Sequence, residues 1–173
     1  MRSIAREVVA AVGSCIAVVL GGCASVGIHP VAGSGGAEAG SAKPKVIYVS
    51  PFTFERCALN VDRTGDELEK FKKDLATVFA SDIADRLVNL DGAPPCNVLP
   101  AGKPPRAPQP AWWISGRFTR INQGSRALRA LVGFGSGGTK FETEVSVYDL
   151  SLNSTEPLFT FVTSGGSGAM KGA

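Results

Sequence analysis

Asp66-Glu67-Leu68-Glu69-Lys70-Phe71-Lys72-Lys73-Asp74-Leu75-Ala76-Thr77-Val78-Phe79-Ala80-Ser81-Asp82-Ile83-Ala84-Asp85-Arg86-Leu87-Val88-Asn89-Leu90 is the stretch on which the fold turns. Leu68, Phe71, Leu75, Val78, Phe79, Ile83, Leu87 and Leu90 recur three and four apart, the period of one helical face. Asp66, Glu67 and Glu69 suit the positive end of a helix dipole, and Asp91-Gly92 supplies a stop. The pattern predicts an amphipathic helix of about 24 residues whose apolar stripe packs into a core, because helices in soluble domains draw most of their stability from such packing.

Upstream, Val46-Ile47-Tyr48-Val49 reads as a β-branched strand, closed by Ser50-Pro51-Phe52 because proline has no amide to donate to a ladder. Residues 55–65 read as a loop holding Cys57 and Gly65. Downstream, Ala93-Pro94-Pro95 ends the helix. Asn97-Val98-Leu99 reads as a short strand returning beside the first through a right-handed crossover. Residues 100–111 hold five prolines and form a loop. Trp112 to Ile121 reads as a strand in which Gly116 marks a bulge or a close backbone approach. Phe141 to Leu150 alternates, with apolar residues at odd positions from Phe141 to Val147. After a turn at 151–155, Pro157 to Thr163 returns as the second arm of a hairpin. These elements make an α/β (α+β) domain: one long amphipathic helix on a mixed, mostly antiparallel sheet of four to five strands.

Between the long strands lies a glycine-rich segment, residues 124–140. It contains a literal G-x-G-x-x-G at Gly133, Gly135 and Gly138. In a dinucleotide fold this motif follows a strand and opens a helix, whereas here a strand follows, and no phosphate-loop GK[ST] is present. Two readings stay open. Arg126 and Arg129, with Gly133, Phe134 and Gly135, form a segment that meets lipid phosphate or an acidic partner. Alternatively, the segment is a plain connection with solvated arginines.

At the N-terminus, Arg2 and Arg6 precede an apolar run of 13 residues, Val8 to Leu20, and then Gly21-Gly22-Cys23. A positive start, a short apolar run and a small-residue exit make a secretory signal, and the run falls short of the roughly 20 residues of a membrane span. Leu20-Gly21-Gly22-Cys23 resembles the lipobox of bacterial lipoproteins. The resemblance implies cleavage before Cys23, acylation of its thiol and amine, and, with Ala24 rather than aspartate next, sorting to the outer membrane facing the periplasm. Two or more acyl chains anchor stably, at about 0.8 kcal/mol per buried CH₂. The expected organisation is a signal at 1–22, lipidated Cys23 with a flexible Gly/Ala/Ser tether at 23–43, and one domain at 44–173. About 20 tether residues would span roughly 25 Å.

Removing residues 1–22 leaves 151 residues with 16 basic and 14 acidic side chains, a balance that gives no ground for a nucleic-acid partner. Of four cysteines, Cys57 and Cys96 remain as a candidate pair. An oxidising compartment favours a bridge, but the predicted strand and helix put the two near opposite ends of the unit, and a bridge tolerates Cα atoms no more than about 7 Å apart. His29 is the sole histidine and lies in the tether, which removes Ser-His-Asp and Cys-His arrangements. No cluster has metal-ligand spacing. Glu142 and Glu144 share one strand face as a glycosidase pair would, although outward positions of a half-solvated sheet explain them equally. The expectation is a non-enzyme with no cofactor and no metal.

Ile47-Tyr48-Val49-Ser50-Pro51-Phe52, Ser115-Gly116-Arg117-Phe118, Gly124-Ser125-Arg126 with Arg129, and Leu131-Val132-Gly133-Phe134-Gly135-Ser136-Gly137 together resemble an uncharacterised family of Gram-negative lipoproteins, the domain of unknown function 4410 type. The resemblance covers residues 45–168 and brings no activity, substrate or catalytic residue. More loosely, the element order is similar to small periplasmic α/β domains of lipoproteins that activate cell-wall synthases or build secretion pores. Those domains usually close with a C-terminal helix, which the sequence from Ser164-Gly165-Gly166-Ser167-Gly168 onward does not predict; either the sequence is cut short there or this version lacks the helix. The functional expectation is a non-catalytic envelope component held by membrane lipid through Cys23 and binding another envelope protein. The alternative is a carrier or sensor of a small or lipidic ligand in a helix–sheet pocket.

Overall fold

Alternation along Ala111–Asn122 and Lys140–Asp149 builds the centre of the molecule. The computed structural model describes residues 25–31, 43–100, 109–123, 140–152 and 156–166. In chain order the elements are β1 (Ser25–Pro30), β2 (Val46–Val49), β3 (Ala58–Asn60), α1 (Gly65–Val88), β4 (Cys96–Val98), β5 (Ala111–Asn122), β6 (Lys140–Asp149) and β7 (Phe159–Gly166). The strands form one sheet in the order β1-β7-β6-β5-β2-β4, with β3 beside β5. The β1–β7, β7–β6 and β6–β5 ladders are antiparallel and long, while the pairings of β2 with β4 and β5, and of β3 with β5, are parallel and short.

Seven strands stand where four to five were expected, and the two extra ones have separate causes. β2 and β3 occupy successive stretches of the same edge of β5: Val46–Val49 pairs with Ala111–Ile114, Thr53 bridges Arg117, and Ala58–Asn60 pairs with Arg120–Asn122. They amount to one interrupted strand. The chain leaves the edge at Pro51 and Phe52, turns through Arg56 at a φ of 55°, and rejoins. Three residues are too few to show alternation, so β3 reads as loop in sequence. β1 lies within the expected tether and instead pairs residue for residue with β7, from Ser25 opposite Gly166 to Pro30 opposite Phe161. Its pairing satisfies the backbone groups that β7 would otherwise leave open as a sheet edge. His29 therefore belongs to a strand and not to a linker.

The helix covers one face of the sheet. Phe79, Ala80 and Ile83 are fully buried, and Ala76, Ala84 and Leu87 nearly so. The expected stripe is rotated: alanines complete the buried face, while Val78 is 58% exposed. Small side chains at 76, 80 and 84 let the helix settle against β2 and β4. Beneath it, Phe79 stands edge-on to Phe52 with ring centroids 5.0 Å apart and lies 5.5 Å from Phe118 and 5.6 Å from Phe141. Ile47, Val49, Trp112, Ile114, Val145, Val147 and Phe161 extend this core across four strands. Gly116 sits where Phe52 crosses β5, which is the close approach its sequence position predicts. The register shift in the β5–β6 ladder falls later, between Phe118 and Arg120. It brings Ile121 back to the core face beside Phe141.

Candidate functional site

Alternation that buries one set of side chains presents the other set on the opposite face. On β5 these are Trp113, Ser115, Arg117 and, beyond the register shift, Arg120. On β6 they are Glu142, Glu144, Ser146 and Tyr148. Each is half-buried except Arg120, which is exposed. No helix among the described residues covers this side.

The face is zoned along the strands. At the end near the start of β5, Trp113 stacks on Tyr148 at 4.9 Å, as their direct cross-strand pairing dictates. The indole N–H donates to Ser50 Oγ at 2.8 Å, which fixes the ring in place. Hydroxyls follow in the middle, with Ser146 and Thr160 3.0 Å apart across β6 and β7. Towards the other end, Arg117 donates to Glu144 twice, from Nε to Oε1 at 3.1 Å and from Nη2 to Oε2 at 3.0 Å. Arg120 donates to Glu142 at 3.3 Å. The Glu144 carboxylate holds the Arg117 guanidinium above its ordinary pKa. Each carboxylate of the Glu142–Glu144 pair is thus bound to its own arginine. Such fixed charge pairs on an open sheet face are an arrangement suited to a recognition surface.

A second concavity lies outside the core, on the N-terminal half of α1. Arg63, Glu67, Lys70, Phe71, Asp74, Leu75 and Val78 line it. The Arg63 guanidinium sits 4.3 Å above the Phe71 ring, so the half-buried aromatic is capped by a cation. Lys70 and Asp74 pair at 2.7 Å on its rim. Between helix and sheet, Phe52, Phe79, Phe118 and Phe141 pack ring against ring.

Of the residues singled out in sequence, Cys23, Arg126, Arg129, Gly133, Phe134 and Gly135 lie outside the described residues. Their described neighbours, Gln123 and Lys140, flank the end of the β5–β6 ladder at Asn122 opposite Lys140. Cys57 and Cys96 are both free, so the bridge does not form. Cys96 stands opposite Ile47 and hence level with Trp112, whereas Cys57 precedes Ala58, which is level with Arg120. That is roughly 25 Å of strand at about 3.3 Å per residue, far beyond a disulfide's reach. Burial pushes the Cys96 thiol up to about 12 and raises Cys57 as well. The Trp113–Tyr148 stack escaped the sequence reading. Alternation in Trp112-Trp113-Ile114 places Trp113 outward, but its partner depends on a register that strand sequences alone do not contain.

A search of curated proteins returned no match. Among solved structures, two of the PelC dodecamer from Paraburkholderia phytofirmans, one a point variant, align over 86% of this chain and 84–85% of theirs. Their identity is 12–13% and their TM-scores 0.37 and 0.39. The model of a family described as "Domain of unknown function (DUF4410)" matches residues 47–172.

Proposed function

The chain belongs to the DUF4410 family, and from the two-sided sheet and the N-terminal sequence we propose that it is a non-catalytic, outer-membrane-anchored domain that binds another envelope protein. The observation that carries this reading is the asymmetry of the sheet. One face is sealed by α1 and the phenylalanine cluster, and the other offers an aromatic stack, hydroxyls and two arginine–carboxylate pairs. Aromatic and arginine side chains held in place cost little entropy to bind, which is why they recur at protein interfaces. Anchoring through acylated Cys23 and the periplasmic setting are parts of the same proposal, supported by Leu20-Gly21-Gly22-Cys23 and the apolar run before it. Arg126, Arg129, Gly133, Phe134 and Gly135 enter as a second contact segment.

Photo-crosslinking in intact cells tests the proposal. A crosslinker at Ser115 or Thr160, on the open face, is expected to give one discrete protein adduct, and the same group at Thr77, on the solvent side of α1, none. Trp113→Ala should weaken the adduct, and the pair Arg126→Ala with Arg129→Ala should weaken it further. Recovery of a stoichiometric lipid from the purified chain, with no protein adduct from either position, would instead establish the carrier reading.

A further inference from the structure

The register places five strands on one line at one end of the sheet. Ser25 lies opposite Gly166, Gly166 opposite Lys140, Lys140 opposite Asn122, and Asn122 opposite Asn60. In the sequence, Ala24 alone separates Ser25 from Cys23. Two peptide units span at most about 7 Å. Acyl chains on Cys23 therefore hold this line of residues within about 7 Å, at its β1 end, of the lipid headgroups. A long free tether is excluded at this point, because residues 25–30 are paired into the sheet.

We propose that this end of the sheet, the Ser25–Gly166–Lys140–Asn122–Asn60 row, rests on the phospholipid headgroup surface, with the strands standing away from the bilayer. The inference rests on the lipid-anchor reading of Cys23 and adds an orientation to it. Charge among the described residues does not create the contact: Lys140 and Arg63 near this end are matched by Asp62, just before α1, and by Asp66 and Glu67 in its first turn. The short leash creates it. The opposite end, with Asp149 level with Trp112, then stands roughly 30 Å further out at about 3.3 Å per strand residue.

The acylated full-length product, reconstituted in phosphatidylethanolamine–phosphatidylglycerol vesicles with a quencher on the lipid headgroups, tests this. In a Cys57→Ser, Cys96→Ser background, a fluorophore is placed at Asn122→Cys, Lys140→Cys or Leu152→Cys, the last at the far end. With the two ends roughly 30 Å apart, quenching at Asn122 and Lys140 is expected to exceed that at Leu152 by about threefold or more. Equal quenching at all three, or stronger quenching at Leu152, overturns the orientation. Flotation and intact mass separate this from failure of the anchor. Cys23→Ala is expected to abolish flotation, and equal quenching alongside lost flotation rejects the orientation alone. Flotation that survives Cys23→Ala, or a mature mass without acyl groups, rejects both.

Discussion

At Gly116 an added methyl group would lie 2.5 Å from Cε2 of Phe52 and 2.6 Å from the carbonyl oxygen of Glu144. Neither neighbour has room to retreat, because Phe52 is wedged against Phe79 and the carbonyl belongs to the β6 backbone. Gly116→Ala is therefore expected to cost about 2–3 kcal/mol through overpacking, read as a lower urea midpoint with an unchanged slope. A midpoint within error of the parent would show that Phe52 can leave its seat. The cysteines make a separate expectation. The unfolded chain releases the Cys96 proton near its ordinary value of 9.0, and the folded chain holds it to about 12. Between those values the unfolded state carries fewer protons, so stability falls as pH rises and is unaffected by this group below that window. Urea melts from pH 8 to 11 should fall more steeply for the parent than for Cys96→Ala. A thiol-reactive dye added in denaturant without reductant should find both Cys57 and Cys96.

The helix shows what a periodic pattern can and cannot tell. Its span and its packing role are legible in residues 66–90, and Phe79, Ile83 and Leu87 lie in the core as their spacing requires. Which shoulder turns inward is not legible, because Ala76, Ala80 and Ala84 carry too little apolar surface to outweigh Leu68, Phe71 and Val78 in the sequence. They win in the structure because small side chains permit the closest approach to β2 and β4. The expected consequence is a sharp contrast between neighbours. Phe79→Ala should cost about 3–5 kcal/mol, and Val78→Ala should stay within about 0.5 kcal/mol, both by chemical denaturation. Comparable losses at the two positions would mean that the outer side of α1 is covered. β1 and β3 were hidden for different reasons. β3 is too short to show a period, and in β1 the small residues Ser25 and Gly27 look like linker until β7, far along the chain, supplies the ladder through Gly166 and Ser164. The open face was half legible: outward Glu142 and Glu144 follow from alternation, whereas their arginine partners follow from register.

On the scale of the whole molecule, the sheet is closed at one side by a strand from the beginning of the chain and centred on strands from its later half. Ile28 of β1 packs against the core. Ile28→Asp is expected to detach β1 while leaving α1 and β2–β6 folded. Hydrogen exchange should then accelerate at the β7 amides, and self-association should rise, since a freed β7 edge is a template for another strand. Uniform acceleration across α1 would show instead that β1 is integral to the core. The pairing of Ser25 with Gly166 also sets an order of events during biosynthesis. In a chain synthesised N-terminus first, β1 has no ladder to join until residue 166 has emerged, so this edge is the last part of the sheet to assemble.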